Sequence, residues 1–140
     1  MNLSPHFTFA ELTHTDHRSL DNTPNADELA NLKRLAEFLE TVKTALSNRP
    51  VMINSGFRSK AVNDAVGSKN TSQHRLGLAA DFRVPGMAPD AVMRALLALP
   101  YDQLIREFDR WTHISVPNNV DMSPRKQALI IDKSGTRPFA

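Results

Sequence analysis

The segment SQHRLGLAADF, residues 72–82, carries the strongest indication of how this chain folds. Loop-forming residues lead into it, so His74 is expected at the end of a loop. Residues 78–84 predict a buried strand with Asp81 inside it. A tight bend at Gly77 would bring the imidazole and the carboxylate to one point. The stretch therefore predicts a loop, a bend and a strand that together carry a polar site.

A second histidine lies in a later predicted strand, WTHIS, residues 111–115. His113 at its centre, with His74 and Asp81, makes three potential ligands. A catalytic zinc site uses three protein ligands and one open position for water, whose pKa zinc lowers to about 7. From spacing alone a purely structural interpretation also stands. In that interpretation His74 caps a loop, Asp81 ends a strand and His113 is a half-buried strand histidine.

Length and composition limit the class of protein. The 140 residues predict a single domain, 1–140. The absence of cysteine excludes a disulfide scaffold, thiol catalysis and cysteine-type zinc fingers. The net charge is only +2 and lysine and arginine form no cluster, so nucleic acid is not an expected partner.

No apolar run approaches the roughly 20 residues that span a bilayer. The N-terminus has no basic segment followed by an apolar one, so no signal peptide is expected. We expect a monomer that is synthesised in the cytoplasm and works at the cell wall or periplasm if it is exported or released.

Hydrophobic periodicity predicts helices and strands without regular βαβ alternation. Leucines at three- and four-residue steps over 29–46 predict the longest helix, which a capping box at Asn25 and Glu28 opens. Shorter helices are predicted at 9–12, 59–66 and 89–99, and strands at 51–54, 78–84, 103–108, 111–116 and 128–132. The sequence favours an α+β fold with a mostly antiparallel central sheet flanked by helices. Residues 1–24 are expected to form an N-terminal extension with a short helix, and residues 117–140 a C-terminal strand and surface tail.

The two polar segments carry a resemblance to a known family. Ser72-x-His74-x-x-Gly77-x-Ala79-x-Asp81, followed by Trp111-x-His113, resembles the zinc D-Ala-D-Ala carboxypeptidase and L-Ala-D-Glu endopeptidase family. The resemblance covers roughly residues 25–116. It implies the hedgehog/DD-peptidase fold and a place among the small single-domain members of phages and prophages, which include endolysins. Peptidoglycan stem peptides are the substrates that it implies.

Position by position, the resemblance implies roles for five residues. It makes His74, Asp81 and His113 the ligands of Zn²⁺. The run SGFR, residues 55–58, is similar to the family segment that carries a substrate-binding arginine, so Arg58 is expected to receive a substrate carboxylate or carbonyl. A planar guanidinium offers a bidentate fork that lysine lacks. Ser72 is expected to donate to the substrate or to shape the loop.

The general base is either Glu107 or Asp109. Many family members have an acidic residue three positions before the last histidine ligand, but that position is Arg110 in this chain. The subgroup that this chain resembles favours Glu107. In one unbroken strand Glu107 and His113 would lie about 20 Å apart. A three-residue loop at 108–110, or an equivalent bulge, would instead put Glu107 opposite Trp111 and on the face of His113, about 7 Å away. Asp109 would then be a turn residue.

The leading function is zinc-dependent hydrolysis of amide bonds in peptidoglycan stem peptides, by a D,D-carboxypeptidase or an L-Ala-D-Glu-type endopeptidase. A cell-wall lysis enzyme of a phage or prophage would fit this activity. One alternative is a catalytically silent metal-binding component of a phage particle. Another is a dipeptidase for free D-Ala-D-Ala, which needs a closed pocket. The positions of Glu107 and Arg58 distinguish an enzyme from a silent metal-binding protein, because an enzyme needs both side chains to face the metal.

Overall fold

The computed structural model describes residues 1–69 and 71–139. In chain order its elements are β1 (Asn2–Ser4), β2 (Phe7–Thr8), α1 (Phe9–Leu12), α2 (Ala26–Ala45), β3 (Met52–Ser55), α3 (Lys60–Ala65), α4 (Gln73–Leu76), β4 (Ala79–Arg83), α5 (Pro89–Leu96), β5 (Gln103–Glu107), β6 (Trp111–Ser115), β7 (Gln127–Asp132) and β8 (Gly135–Pro138). The α+β class is confirmed. Among the described residues, no helix is both long enough and apolar enough to cross a membrane.

Capping residues fix where the helices begin. Asn25 and Glu28 form the predicted capping box at α2, and Thr8 and Glu11 form another at α1. Most of the leucine stripe of α2 is buried, with Leu32, Leu35 and Leu39 at 0% exposure, whereas Leu29 is half-buried. Burying each such side chain stabilises the fold by about 1.5–3 kcal/mol. This helix therefore supplies a large part of the hydrophobic core.

The large sheet is mixed and has the strand order β3-β4-β6-β5-β7-β8. Strand β7 runs parallel to β5, whereas the other pairings of this sheet are antiparallel. The parallel pair arises because the connection 116–126 passes the start of β5, where Lys126 N and Gln127 N donate to the carbonyls of Tyr101 and Asp102. The sheet therefore has one parallel pairing that the sequence did not predict.

The strand register puts hydrophobic side chains on one face of the sheet and the polar site on the other. Ile114 pairs with Ala80 and with Leu104, and these side chains join the hydrophobic cluster with α2 and α5. The next residue back along β6, His113, pairs with Asp81 and with Ile105. Because side chains alternate along a strand, these point to the opposite face. The polar site therefore lies on the face away from the main helix.

Three elements differ from the sequence-based expectation. His74 lies in the short helix α4 and not at the end of a loop, because the Ser72 hydroxyl accepts from His74 N and caps the helix. Residues 2–8 form a two-stranded sheet, which brings Phe7 into the main core. The tail forms strand β8 beyond the predicted last strand and pairs with β7, and Ala140 lies outside the described residues.

Candidate metal centre

His74, Asp81 and His113 lie together and are buried. Each offers one ligand atom, and these atoms lie within 4.8 Å of one another. Asp81 Oδ1 lies 3.2 Å from His74 Nε2 and 2.9 Å from His113 Nδ1. The two imidazole rings meet edge to face, with centroids 5.1 Å apart. Residues far apart in the chain thus converge on one point.

Local structure explains this convergence. Asp81 and His113 are direct partners in the β4–β6 register, so their side chains leave the same face side by side. Gly77 ends α4 with φ +80°, a left-handed conformation that glycine adopts without a Cβ penalty. A Cβ at Gly77 would also meet the carbonyl oxygen of Glu28 at 2.8 Å. The expected tight bend is therefore present and has little room for a side chain.

The Ser55–Arg58 segment holds His74 from two sides. His74 Nδ1–H donates to the Gly56 carbonyl at 2.8 Å, and Arg58 N donates to the His74 carbonyl at 2.9 Å. A Cβ at Gly56 would meet the carbonyl oxygen of Leu12 at 2.5 Å. The end of α1 therefore presses against the segment that orients the imidazole. Such outer contacts fix the ring and its tautomer at metal sites.

The donor set fits a divalent cation. A carbonyl oxygen can only accept, so His74 Nδ1 carries a proton and a neutral ring presents its Nε2 lone pair to Asp81. Two acceptors 3.2 Å apart need a cation or a proton between them. Ligands bound about 2.0–2.2 Å from a tetrahedral zinc lie roughly 3.3–3.5 Å apart, close to the spacing seen here. Two imidazoles and one carboxylate with a free fourth position match a catalytic zinc site.

The electrostatics of Asp81 keep it ionised. Burial by itself would raise its pKa, but with no metal bound a protonated His74, through its charge and a hydrogen bond, together with a hydrogen bond from His113, would hold the pKa of Asp81 well below its ordinary value. Arg58 adds a guanidinium nitrogen 3.5 Å from Asp81 Oδ2. An ionised carboxylate is the form that binds a metal.

Glu107 reaches the centre from the neighbouring strand. It pairs with Trp111 across the β5–β6 hairpin, as the three-residue loop at 108–110 requires, so this prediction is confirmed. Its Oε1 lies 4.0 Å from His113 Nδ1. Burial raises the pKa of Glu107, and the charge of Asp81 raises it further. A buried carboxylate with a raised pKa beside a metal centre suits proton transfer near neutral pH.

The hairpin turn has an unusual residue in it. Phe108 and Asp109 have φ of 54° and 53°, and Arg110 N donates to the Glu107 carbonyl at 3.0 Å. Positive φ at both central residues is the type I′ pattern, in which Asn-Gly is favoured. The left-handed conformation costs a non-glycine residue about 1–2 kcal/mol. Asp109 is the expected turn residue, with its side chain 72% exposed and paired with Arg106.

Arg58 and Ser72 flank the centre. Arg58 Nε donates to Ser55 Oγ at 3.2 Å, and the Arg58 side chain is mostly buried. This holds the guanidinium over Asp81 and not in solvent. The Ser72 hydroxyl caps α4 at a donor–acceptor distance of 3.3 Å, which is the loop-shaping alternative of the two expected for it.

Sequence reasoning missed two sets of residues that support the site. Trp111 donates from Nε1 to Glu107 Oε2 at 2.9 Å, a contact that the sequence does not predict. Asp102 is buried and accepts from Gln73 Nε2 at 3.1 Å and from Arg125 Nη2 at 2.6 Å, which ties α4 to the start of β5. The predicted pairing of Glu107 with Trp111 across the hairpin could have indicated the first contact. No sequence pattern indicates the contacts of Asp102 with Gln73 and Arg125.

Comparison with known proteins agrees with this geometry. A family model described as Peptidase M15 matches residues 5–115, most of the chain. The zinc D-Ala-D-Ala carboxypeptidase of Streptomyces albus G is 34% identical over 77 residues. Those residues make up 54% of this chain and 30% of the carboxypeptidase.

The chain therefore belongs to the peptidase M15 family. Family membership and the zinc carboxypeptidase relative together support a zinc metallopeptidase, with Zn²⁺ as the metal indicated for this chain. The chain spans 30% of the length of that relative.

Proposed function

We propose that this protein hydrolyses amide bonds in peptidoglycan stem peptides, as a D,D-carboxypeptidase or an L-Ala-D-Glu-type endopeptidase. The observation that carries the proposal is the position of two further side chains around the His74–Asp81–His113 centre. Glu107 Oε1 lies 4.0 Å from His113, and Arg58 Nη2 lies 3.5 Å from Asp81. A ligand set, a base and a cation thus lie close together, which is what amide hydrolysis requires.

In this proposal His74 Nε2, an Asp81 carboxylate oxygen and His113 Nδ1 hold the zinc. When bound, zinc acts as a Lewis acid that polarises a carbonyl and makes water acidic enough to ionise near neutral pH. The Gly56 carbonyl keeps His74 in the tautomer that presents Nε2.

Glu107 serves as general base and acid. Its carboxylate accepts a proton from the attacking water, and the water oxygen bonds to the scissile carbonyl carbon. When the carbon–nitrogen bond breaks, Glu107 returns the proton to the leaving amine. The raised pKa of Glu107 favours both directions of this transfer near neutral pH.

Arg58 binds the substrate in this mechanism. Its guanidinium has donors to spare for a substrate carboxylate or carbonyl, because one nitrogen is fixed by Ser55 and another lies near Asp81. Ser72 lines the open groove that leads away from His113, a groove of about 520 Å³ with Ile105 and Leu129 in its floor. An open groove suits a peptide that continues past the scissile bond better than it suits a free dipeptide.

The proposal includes the hedgehog/DD-peptidase-like arrangement of the sheet and helices and a place of action at the bacterial cell wall. The proposal also includes a role in phage or prophage cell-wall lysis and a monomeric enzyme. The competing silent metal-binding role would be favoured by Glu107 or Arg58 pointing away from the centre. Neither does so, and this supports an enzyme.

The decisive experiment digests purified peptidoglycan with the protein, with and without a chelator, and identifies the fragments by mass. Loss of terminal D-Ala indicates a carboxypeptidase, and cleavage within the stem indicates an endopeptidase. Cleavage abolished by chelation and restored by Zn²⁺ supports the proposal. Intact peptidoglycan after digestion with fully zinc-loaded protein would favour the silent role.

A metal assay tests the ligand set directly. His113→Ala removes one of three ligands and should lower bound zinc to a small fraction of the wild-type amount. His17→Ala is the matched control, because His17 is exposed and lies outside the cluster. Equal zinc in both variants would remove His113 from the ligand set.

A further inference from the structure

The turn beside the base presents an aromatic side chain that packing does not explain. Phe108 has φ 54° in the turn position where asparagine or glycine is favoured, so the residue strains the backbone. The residue is also 47% exposed. A strained conformation that burial does not offset points to a role for the side chain itself.

Phe108 forms one wall of a groove that we call the aromatic groove. It lies between the β5–β6 turn, residues 108–111, and the β7–β8 turn, residues 132–134, and has a volume of about 580 Å³. The rings of Phe108 and Trp111 stand together there, with centroids 6.3 Å apart. Trp111 also binds Glu107, so the groove begins directly beside the proposed base.

The charges of the aromatic groove favour an anion. Its two acidic residues are paired, Asp109 with Arg106 at 3.1 Å and Asp132 with Arg137 at 2.8 Å. Its two basic residues, Arg110 and Lys133, are exposed and form no ion pair within 1–69 and 71–139. The groove therefore offers an aromatic wall and two cationic side chains without a partner.

We propose that the aromatic groove binds a carboxylate-bearing segment of the substrate peptide, outside the residues that flank the scissile bond. This inference rests on the proposed function and adds a determinant of substrate choice to it. Arg110 and Lys133 bind the carboxylate, and the rings of Phe108 and Trp111 pack against the adjoining aliphatic part. Such a contact adds affinity for long wall peptides and does not act on the bond that is cut.

The test uses the zinc-loaded full chain and two variants. Phe108→Asn keeps the turn, because asparagine tolerates positive φ, and removes the ring. Arg110→Gln/Lys133→Gln removes the cations. For both, we expect KM for peptidoglycan to rise roughly tenfold with kcat changed less than about twofold, the size of effect expected from one lost charged or aromatic contact. The unfolding temperature of Phe108→Asn should be equal to or above that of the wild type.

A charge-matched control is Lys33→Gln/Lys60→Gln, which removes two exposed cations from α2 and α3. Its KM should stay at the wild-type value. The KM of the wild type for peptidoglycan with amidated carboxylates should exceed its KM for unmodified peptidoglycan, by about the same factor as in the Arg110→Gln/Lys133→Gln variant. An unchanged KM in Phe108→Asn or in the Arg110/Lys133 variant overturns the proposal. Amidation without effect overturns the carboxylate as the ligand.

Pelleting with insoluble peptidoglycan separates this proposal from the proposed function. A larger fraction of the wild-type protein than of Phe108→Asn should pellet with peptidoglycan. If this difference is seen although the wild type cleaves nothing, it supports peptide binding by the aromatic groove while the proposed hydrolysis fails. Equal pelleting of the wild type and both variants overturns the groove, whether or not the wild type cleaves.

Discussion

The indole Nε1–H of Trp111 donates a 2.9 Å hydrogen bond to Oε2 of Glu107, its direct partner across the β5–β6 hairpin. The bond occupies one carboxylate oxygen and leaves the other, Oε1, toward His113. The Trp111 indole thus fixes the direction of the proposed base.

Replacing Trp111 should therefore lower turnover more than substrate binding. Trp111→Phe keeps an aromatic ring but loses the donor, a loss of about 1 kcal/mol, so we expect kcat to fall roughly fivefold with KM and bound zinc little changed. The chain has one tryptophan, so the wild-type indole signal in NMR reports this contact alone. That signal should shift in Glu107→Gln. Unchanged kcat in Trp111→Phe would contradict the positioning role.

The identity of the base is tested by a pair of neutralising changes. Glu107→Gln should keep zinc but lose roughly 10²–10⁴-fold in kcat, because the amide cannot accept the proton. Asp109→Asn is the matched control, since Asp109 is exposed in the turn and paired with Arg106. Zinc content and peptidoglycan hydrolysis are measured on both. The reverse pattern, with activity lost only in Asp109→Asn, would make Asp109 the base.

Gly56 links the N-terminal helix to the metal centre. In Gly56→Ala the new Cβ meets the Leu12 carbonyl oxygen, so backbone must move and the carbonyl that orients His74 moves with it. We expect zinc affinity to fall roughly 10–100-fold, the cost typical of losing an outer contact to a ligand. Competition with a chromophoric chelator measures this affinity.

Gly67→Ala is the control for Gly56→Ala. Its Cβ meets nothing within 4 Å, although φ +76° imposes strain of about 1–2 kcal/mol. This variant should unfold more easily and bind zinc as the wild type does. Similar zinc affinities for the two alanine variants would show that the Gly56 carbonyl does not orient His74.

The ion pair of buried Asp102 with the half-exposed Arg125 predicts a loss of stability in acid. Burial alone would raise the pKa of Asp102, but hydrogen bonds and charge from Arg125, with a bond from Gln73, hold it below its ordinary value. A carboxylate with a lowered folded pKa stabilises the fold above its unfolded pKa of about 3.9, and this stability is lost as pH falls through the folded pKa.

Urea unfolding of wild type and Asp102→Asn, at pH 6 and at about pH 3, measures this effect. Asp102→Asn should cost about 1–3 kcal/mol at pH 6, a modest value because the Arg125 side chain is 53% exposed, and less at pH 3. Asp121→Asn, in an exposed loop, should follow the wild type at both pH values. An equal cost of Asp102→Asn at both pH values would contradict the ionised pair.

The helices, most strands and the α+β class could be predicted from the sequence, because they depend on neighbouring residues. The leucine steps of α2, the capping boxes and the bend at Gly77 are all local signals. The three-residue loop between β5 and β6 followed from the requirement, implied by the family resemblance, that Glu107 share a face with His113, since side chains alternate along strands.

The tertiary structure decided what depends on contacts between distant segments. The pairing of β4 with β6 brings Asp81 beside His113, and the fold brings the Gly56 carbonyl to His74, a residue 18 positions along the chain. The parallel pairing of β5 with β7 and the approach of Arg125 to Asp102 belong to the same group. No periodicity encodes them, because they arise from how separate elements share one core and not from the order of residues within an element.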